Sequence, residues 1–113
     1  MVTLRMRFAL DVGDVYSTEH MRLAKQLGCP EVIGYGPRLA PGSDIGARTG
    51  SEVWDFGEVV RMKRRVEDFG LRLEVLEDGP PIDKIMLGLP GREEQLEHFC
   101  KSLENLGAAG IHT

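Results

Sequence analysis

The feature that most constrains the fold of this chain is an alternation in which each capped, amphipathic helical stretch ends at a glycine and runs into a short apolar segment. Leu4, Met6, Phe8 and Leu10 alternate with Arg5, Arg7 and Ala9, so Leu4 to Leu10 is expected to be a strand with those apolar side chains inward. Ser17 is placed to cap a helix with Glu19 in its first turn, Met21, Ala24 and Leu27 on one stripe, Lys25 near its end and Gly28 as its stop. Pro30 then leads into "EVIGY", a second strand. Asp55 caps the next helix with Glu58 three residues on, and Phe56, Val59, Val60, Val66 and Phe69 form its apolar stripe. The cations Arg61, Lys63, Arg64 and Arg65 are expected on its solvated face, and Gly70 ends it before the strand "LRLEVLE".

The third helix carries Glu93 and Glu94 in its first turn, Leu96, Phe99, Cys100, Leu103 and Leu106 as its core stripe, a Glu97 to Lys101 pair and Gly107 as its stop. "AAGIHT" would begin a fourth strand. Two segments show neither period and are expected to be loops: Gly36 to Trp54, and "DGPPIDKIMLGLPGR".

Strict alternation of strand and helix implies an α/β fold with a parallel sheet and crossover helices. Three short strands with two long loops bury little as a free-standing open sheet, whereas a (β/α)8 TIM barrel needs about 250 residues. The expected fold class is therefore the N-terminal three βα units of a TIM barrel, with residues 1–113 as part of one domain cut at its fourth strand.

A chain that is 42% apolar and 28% charged has the composition of a soluble globular protein. Its net charge of -4 offers no basic field for nucleic acid or an anionic membrane. No run reaches the roughly 20 apolar residues of a membrane span, and the N-terminus lacks a signal-peptide core, so a cytoplasmic location is expected. Cys29 and Cys100 lack metal-knuckle or disulfide spacing and are expected to be reduced thiols, Cys100 on the core stripe.

The stretch "IMLGLPGREEQLEHFCKSLENLGAAGI" resembles the D-mannonate dehydratase family, with further likeness in "VYSTEHMRLAKQLGC" and "VVRMKRRVEDFGLRLEVLED". The resemblance implies a xylose isomerase-like TIM barrel and a hydro-lyase that dehydrates D-mannonate to 2-dehydro-3-deoxy-D-gluconate in hexuronate (glucuronate) catabolism. It also implies a manganese (Mn2+) or iron (Fe2+) ion, which would offset the charge of the enediolate formed beside a carboxylate, and a homo-oligomer at full length. The family's metal ligands and acid-base pair come from later strands, so no catalytic residue and no metal ligand is assigned to this segment, and alone it is expected to be inactive. The alternatives are a sugar isomerase or epimerase on the same barrel, and a non-catalytic α/β domain that binds an anion or a partner.

In a barrel, functional groups sit at the C-terminal ends of strands and in the loops after them. That edge holds Asp11 and Asp14 after the first strand, Tyr35 and Arg38 after the second, and Glu77, Asp78 and Arg92 after the third. Arg92, Glu77, Tyr35 and Arg38 are the candidate substrate contacts. Arg92 is the best of them, because a guanidinium grips a carboxylate in a bidentate pair and a helix N-terminus beside it favours anions. Its competing role is a salt bridge at the helix start. Glu77 would accept a substrate hydroxyl, against the commoner role of a solvated strand-end carboxylate. His20, His98 and His112 are expected to be structural or exposed. The long loop from Gly36 to Trp54 is expected to cover the site or to reach a neighbouring subunit.

Overall fold

The computed structural model describes residues 6–37 and 53–113. Its elements follow in the order β1 (Ala9–Gly13), α1 (Thr18–Gln26), β2 (Glu31–Gly34), α2 (Phe56–Glu67), β3 (Arg72–Leu76), α3 (Asp83–Leu87) and α4 (Arg92–Ala108). The strands form one parallel sheet in the order β1-β2-β3. Among the described residues no helix is long and apolar enough to cross a membrane.

The two helix starts form as their sequences dictate. Ser17 accepts the amide of His20, and Asp55 accepts the amides of Gly57 and Glu58, so each helix begins with free donors satisfied by a side chain. Their ends are set by Gly28 and Gly70, at φ of +72° and +74°, where a side chain would strain the turn. Leu10 pairs with Val32 and Val32 with Leu73, so a period of two turns one row of side chains toward the helices. Val12, Val32 and Leu73 from the sheet pack in a single core with Met21 and Ala24 of α1 and with Val59, Met62 and Val66 of α2. The opposite row holds a charged network at the N-terminal ends of the strands: buried Glu31 accepts from both Arg7 and Arg72, and each arginine also reaches Glu74.

Several expectations are corrected. The first strand starts at Ala9, and Met6 and Phe8 lie outside it, 100% and 87% exposed. The apolar face of α2 uses Met62, while Phe56 is half exposed. Its cations are not all solvated: Lys63 donates to the Ala109 carbonyl, and Arg65 donates to Thr18 Oγ1 while stacking on the Phe69 ring. The segment expected as a loop before α4 contains the short helix α3.

The largest correction concerns α4. Leu96 and Leu103 are each 50% exposed and Cys100 is exposed, so those members of the expected stripe face outward, while Phe99 is partly buried and Leu106 packs against the core as expected. The buried side chains of α4 are polar, Gln95 and Ser102. Lys101 pairs with Glu104 rather than with Glu97. The helix continues through Ala108, and the chain turns at Gly110, not at Gly107. Ile111 is then buried, and the amide of Leu76 in β3 donates to the carbonyl of Thr113 at 3.0 Å. Residues after α4 thus lie alongside β3, where a fourth strand was expected.

Candidate functional site

The C-terminal edge of the sheet is knitted by backbone bonds between residues just past each strand. The amide of Tyr35 donates to the Gly13 carbonyl at 2.8 Å, and that of Glu77 to the Gly34 carbonyl at 3.0 Å. These bonds extend the parallel ladder by one step and fix where the following side chains begin. Asp11 folds back on its own turn, accepting the Gly13 amide at 2.8 Å, and Asp14 does the same with the Tyr16 amide at 2.9 Å.

Three acidic residues meet at this edge. The carboxyl of Glu77 is hydrogen-bonded to Asp11, and Asp78 lies close enough for its charge to be felt. The Glu77 carboxyl is accordingly pushed above the ordinary glutamate value, first by that hydrogen bond, then by the Asp11 charge, by partial desolvation and by Asp78. A carboxyl held in this way retains its proton to higher pH and can donate to an oxygen as well as accept from a hydroxyl. Asp78 itself accepts the Gly36 amide at 2.5 Å. The ring of Tyr35 lies over Gly13, where an added Cβ would stand 3.3 Å from Cε2. His20, in the first turn of α1, turns Nδ1 to the Val12 carbonyl at 3.0 Å and so has the structural role expected of it.

The candidate contacts are therefore brought together only in part. Glu77 and Tyr35 stand on the edge beside Asp11, Asp14 and Asp78. Arg92 is held elsewhere: its Nη1 donates to the Gly88 carbonyl at 2.9 Å, its Nε pairs with Glu93 at 3.0 Å, and its amide bonds to the Leu89 carbonyl. It closes the corner between α3 and α4, and among the described residues no hydrogen bond or ion pair joins it to the three carboxylates. Arg38 lies outside the described residues, as does most of the loop expected to cover the site. Also among the described residues, no group of three or more His, Cys, Asp or Glu side chains is placed to hold a metal ion.

Two anchors were not foreseen. Gln95 is 1% exposed; its amide oxygen accepts the Ile85 amide at 3.1 Å and its Nε2 donates to Asp83 Oδ1 at 2.9 Å, locking α3 onto α4. That bond, with the backbone N–H of Asp83 itself and the Lys84 charge, holds the Asp83 carboxyl below its ordinary value. Trp54 is 4% exposed, and α4 holds both of its backbone groups: its amide donates to Ser102 Oγ at 2.9 Å, and its carbonyl accepts from Asn105 Nδ2 at 2.8 Å. The signal was present in the sequence, because Gln95, Ser102 and Asn105 recur at seven and three residues and so share one helical face.

Comparison with known proteins places this geometry. The sequence profile of D-mannonate dehydratase (UxuA) matches residues 43–113. The mannonate dehydratase of Thermotoga maritima is 43% identical over 60 residues, which are 53% of this chain and 17% of that protein. That of Thermotoga petrophila is 40% identical over 60 residues, with the same shares. The matched stretch of the chain thus spans about 17% of the length of these curated relatives. The crystal structure of mannonate dehydratase from Streptococcus suis serotype 2 superposes with a TM-score of 0.73 at 22% identity, over 96% of this chain and 29% of that one. The profile covers more than half of the chain and includes α2, β3 and the whole α3–α4 corner, and on that ground the chain belongs to the D-mannonate dehydratase family.

Proposed function

We propose that this chain is the N-terminal three βα units of a TIM barrel and that, within the complete protein, it contributes to a hydro-lyase converting D-mannonate to 2-dehydro-3-deoxy-D-gluconate with loss of water. The observation that carries this reading is the match of residues 43–113 to the family profile. The sequential parallel sheet, with acidic side chains at its C-terminal edge, supports it. The complete protein is read as a cytoplasmic homo-oligomer of hexuronate catabolism.

The Mn2+ or Fe2+ that such a reaction calls on does not fit the described residues, which offer no group of three ligands. The part assigned to this segment is therefore contact with the sugar acid. Glu77, paired with Asp11, meets a hydroxyl of the polyol chain, and the Tyr35 ring bounds the same edge. Arg92 takes the substrate carboxylate only by releasing the Gly88 carbonyl or Glu93, an exchange of one charge-assisted contact for another. Arg38 completes the set of proposed contacts.

The test is steady-state dehydration of D-mannonate by the full-length protein. Glu77→Gln should lower kcat/KM, and Arg92→Ala should lower it more than Arg92→Lys, which keeps the charge but loses the planar fork. Normal kinetics with a lowered melting temperature in Arg92→Ala would assign Arg92 to the helix corner alone. Residues 1–113 expressed alone should not turn over D-mannonate in the presence of manganese.

A further inference from the structure

The residues flanking the segment 38–52 are in contact, and the contact is asymmetric. On one side stands Gly36, where an added Cβ would fall 2.2 Å from Cζ2 and 2.3 Å from Cη2 of the Trp54 indole. No side chain fits there, so the ring lies directly on the Gly36 backbone. On the other side, Trp54 is not free to move away. Ser102, fully buried, donates its own proton to the His98 carbonyl at 2.9 Å, which leaves its oxygen to accept the Trp54 amide, while Asn105 holds the Trp54 carbonyl. The backbone of Trp54 is thus fixed to α4, and its indole lies against Gly36.

The amide of Gly36 is the donor to Asp78, whose neighbour Glu77 is bonded to Asp11. We propose that Trp54 is a positioning residue for the acidic edge: anchored on α4 by Ser102 and Asn105, it seats Gly36 so that the Gly36 amide holds Asp78 beside Glu77 and Asp11. The bare glycine under its ring is what a tryptophan that merely filled the core would not need. The inference rests on the reading of this edge as the one that meets substrate.

The experiment is a double-mutant cycle in the full-length protein, read by the pH dependence of kcat/KM for D-mannonate and by melting temperature. Trp54→Phe and Asp78→Asn should each lower kcat/KM by about tenfold, since a displacement of about 1 Å remote from the chemistry can cost on the order of a hundredfold. The double variant should lose no more than about twofold beyond the worse single variant, because both changes act through one contact. Both should also move the acid limb of the profile toward lower pH, because Asp78→Asn removes the charge beside Glu77 and Trp54→Phe releases the Asp78 carboxylate from the Gly36 amide that holds it there.

Losses that multiply, or a lowered melting temperature with the acid limb in place, would overturn the proposal. Where Trp54→Phe does not fold, Gly36→Ala displaces the same ring from the other side and replaces it in the cycle, with the same expected pattern. Glu77→Gln separates the two levels. If it leaves kcat/KM unchanged, the reading of the edge fails and the proposal falls with it. If it lowers kcat/KM while the losses from Trp54→Phe and Asp78→Asn multiply, the reading stands and the positioning role alone is refuted.

Discussion

The side chain of Gln95 bridges two helices, donating to Asp83 Oδ1 at 2.9 Å and accepting from the Ile85 amide at 3.1 Å. A primary amide is the one common side chain that supplies a donor and an acceptor in this arrangement, and here both are used inside a site that is 1% exposed. Gln95→Leu keeps the volume but leaves the Ile85 amide without its partner. It should destabilise the protein by about 1–3 kcal/mol, the usual cost of an unsatisfied buried polar group. Chemical denaturation checks this, and a variant within about 0.5 kcal/mol of wild type would show that α3 does not depend on the bridge.

Asp83 gives that same bridge a pH signature. Its carboxyl is held below the ordinary value of 3.8, chiefly by the hydrogen bond from Gln95. A lowered folded-state value means stability that is present above pH 3.8 and lost as pH falls toward the folded value. Asp83→Asn should therefore be less stable than wild type at neutral pH, with the two melting curves converging in acid below pH 3.8. A constant gap across that range would assign the loss to packing instead.

Glu77 predicts the opposite sign. Its folded-state value is raised above 4.5 by the hydrogen bond and charge of Asp11, so its contribution favours folding below pH 4.5 and is lost as pH rises through the folded value. Glu77→Gln removes a carboxylate repelled by Asp11 and Asp78, and should melt at or above the wild-type temperature at neutral pH while losing that advantage in acid. A lower melting temperature at pH 7 would show that the Glu77 carboxylate has a stabilising partner at this edge.

Asp55 caps α2 through two amides, at 2.8 Å from Gly57 and 3.3 Å from Glu58. Asp55→Ala should cost about 0.5–2 kcal/mol, and Asp55→Asn, which keeps the acceptor, should recover most of it. Equal losses in the two variants would mean that the charge, not the hydrogen bonds, is what the helix start needs.

The outward stripe of α4 sets the behaviour of this segment when expressed alone. Leu96 and Leu103 are half exposed, and Met86 and Leu87 of α3 are 73% and 71% exposed. An apolar surface of that kind favours association. Residues 1–113 should self-associate with rising concentration in sedimentation experiments, and Leu96→Lys with Leu103→Lys should shift the species toward monomer. Identical profiles for both proteins would remove the stripe as the cause.

Features set by local chemistry were legible in the sequence: the caps at Ser17 and Asp55, the glycine turns at Gly28 and Gly70, and three strand-forming runs in chain order. Met6 and Phe8 alternate as a strand should, yet pairing begins at Ala9, because periodicity marks which residues can pair and not which find a partner. The amphipathic pattern of α4 was visible, but the side it turns to the fold was visible only in part, since Leu106 packs on the core while Leu96, Cys100 and Leu103 lie outward and Gln95, Ser102 and Asn105 make inner contacts. The helix α3 was hidden by its five-residue length and by Ile82, which supplies no capping side chain. At the edge, Glu77 and Tyr35 were found from their place after strands, whereas the bond between Glu77 and Asp11 spans an intervening strand and has no trace in local sequence.

The strand order β1-β2-β3 is also the order in which a ribosome delivers the strands. Each new strand meets its partner at the free edge of the one made just before, and none has to be inserted between two already paired. Every step closes a loop of one βα unit, and the entropy of closure depends on that span alone. At synthesis rates of about 5–20 residues per second, each unit has seconds to dock before the next is complete. The bond from the Leu76 amide to the Thr113 carbonyl lies on the edge of β3 opposite β2, the last edge to be made in that order.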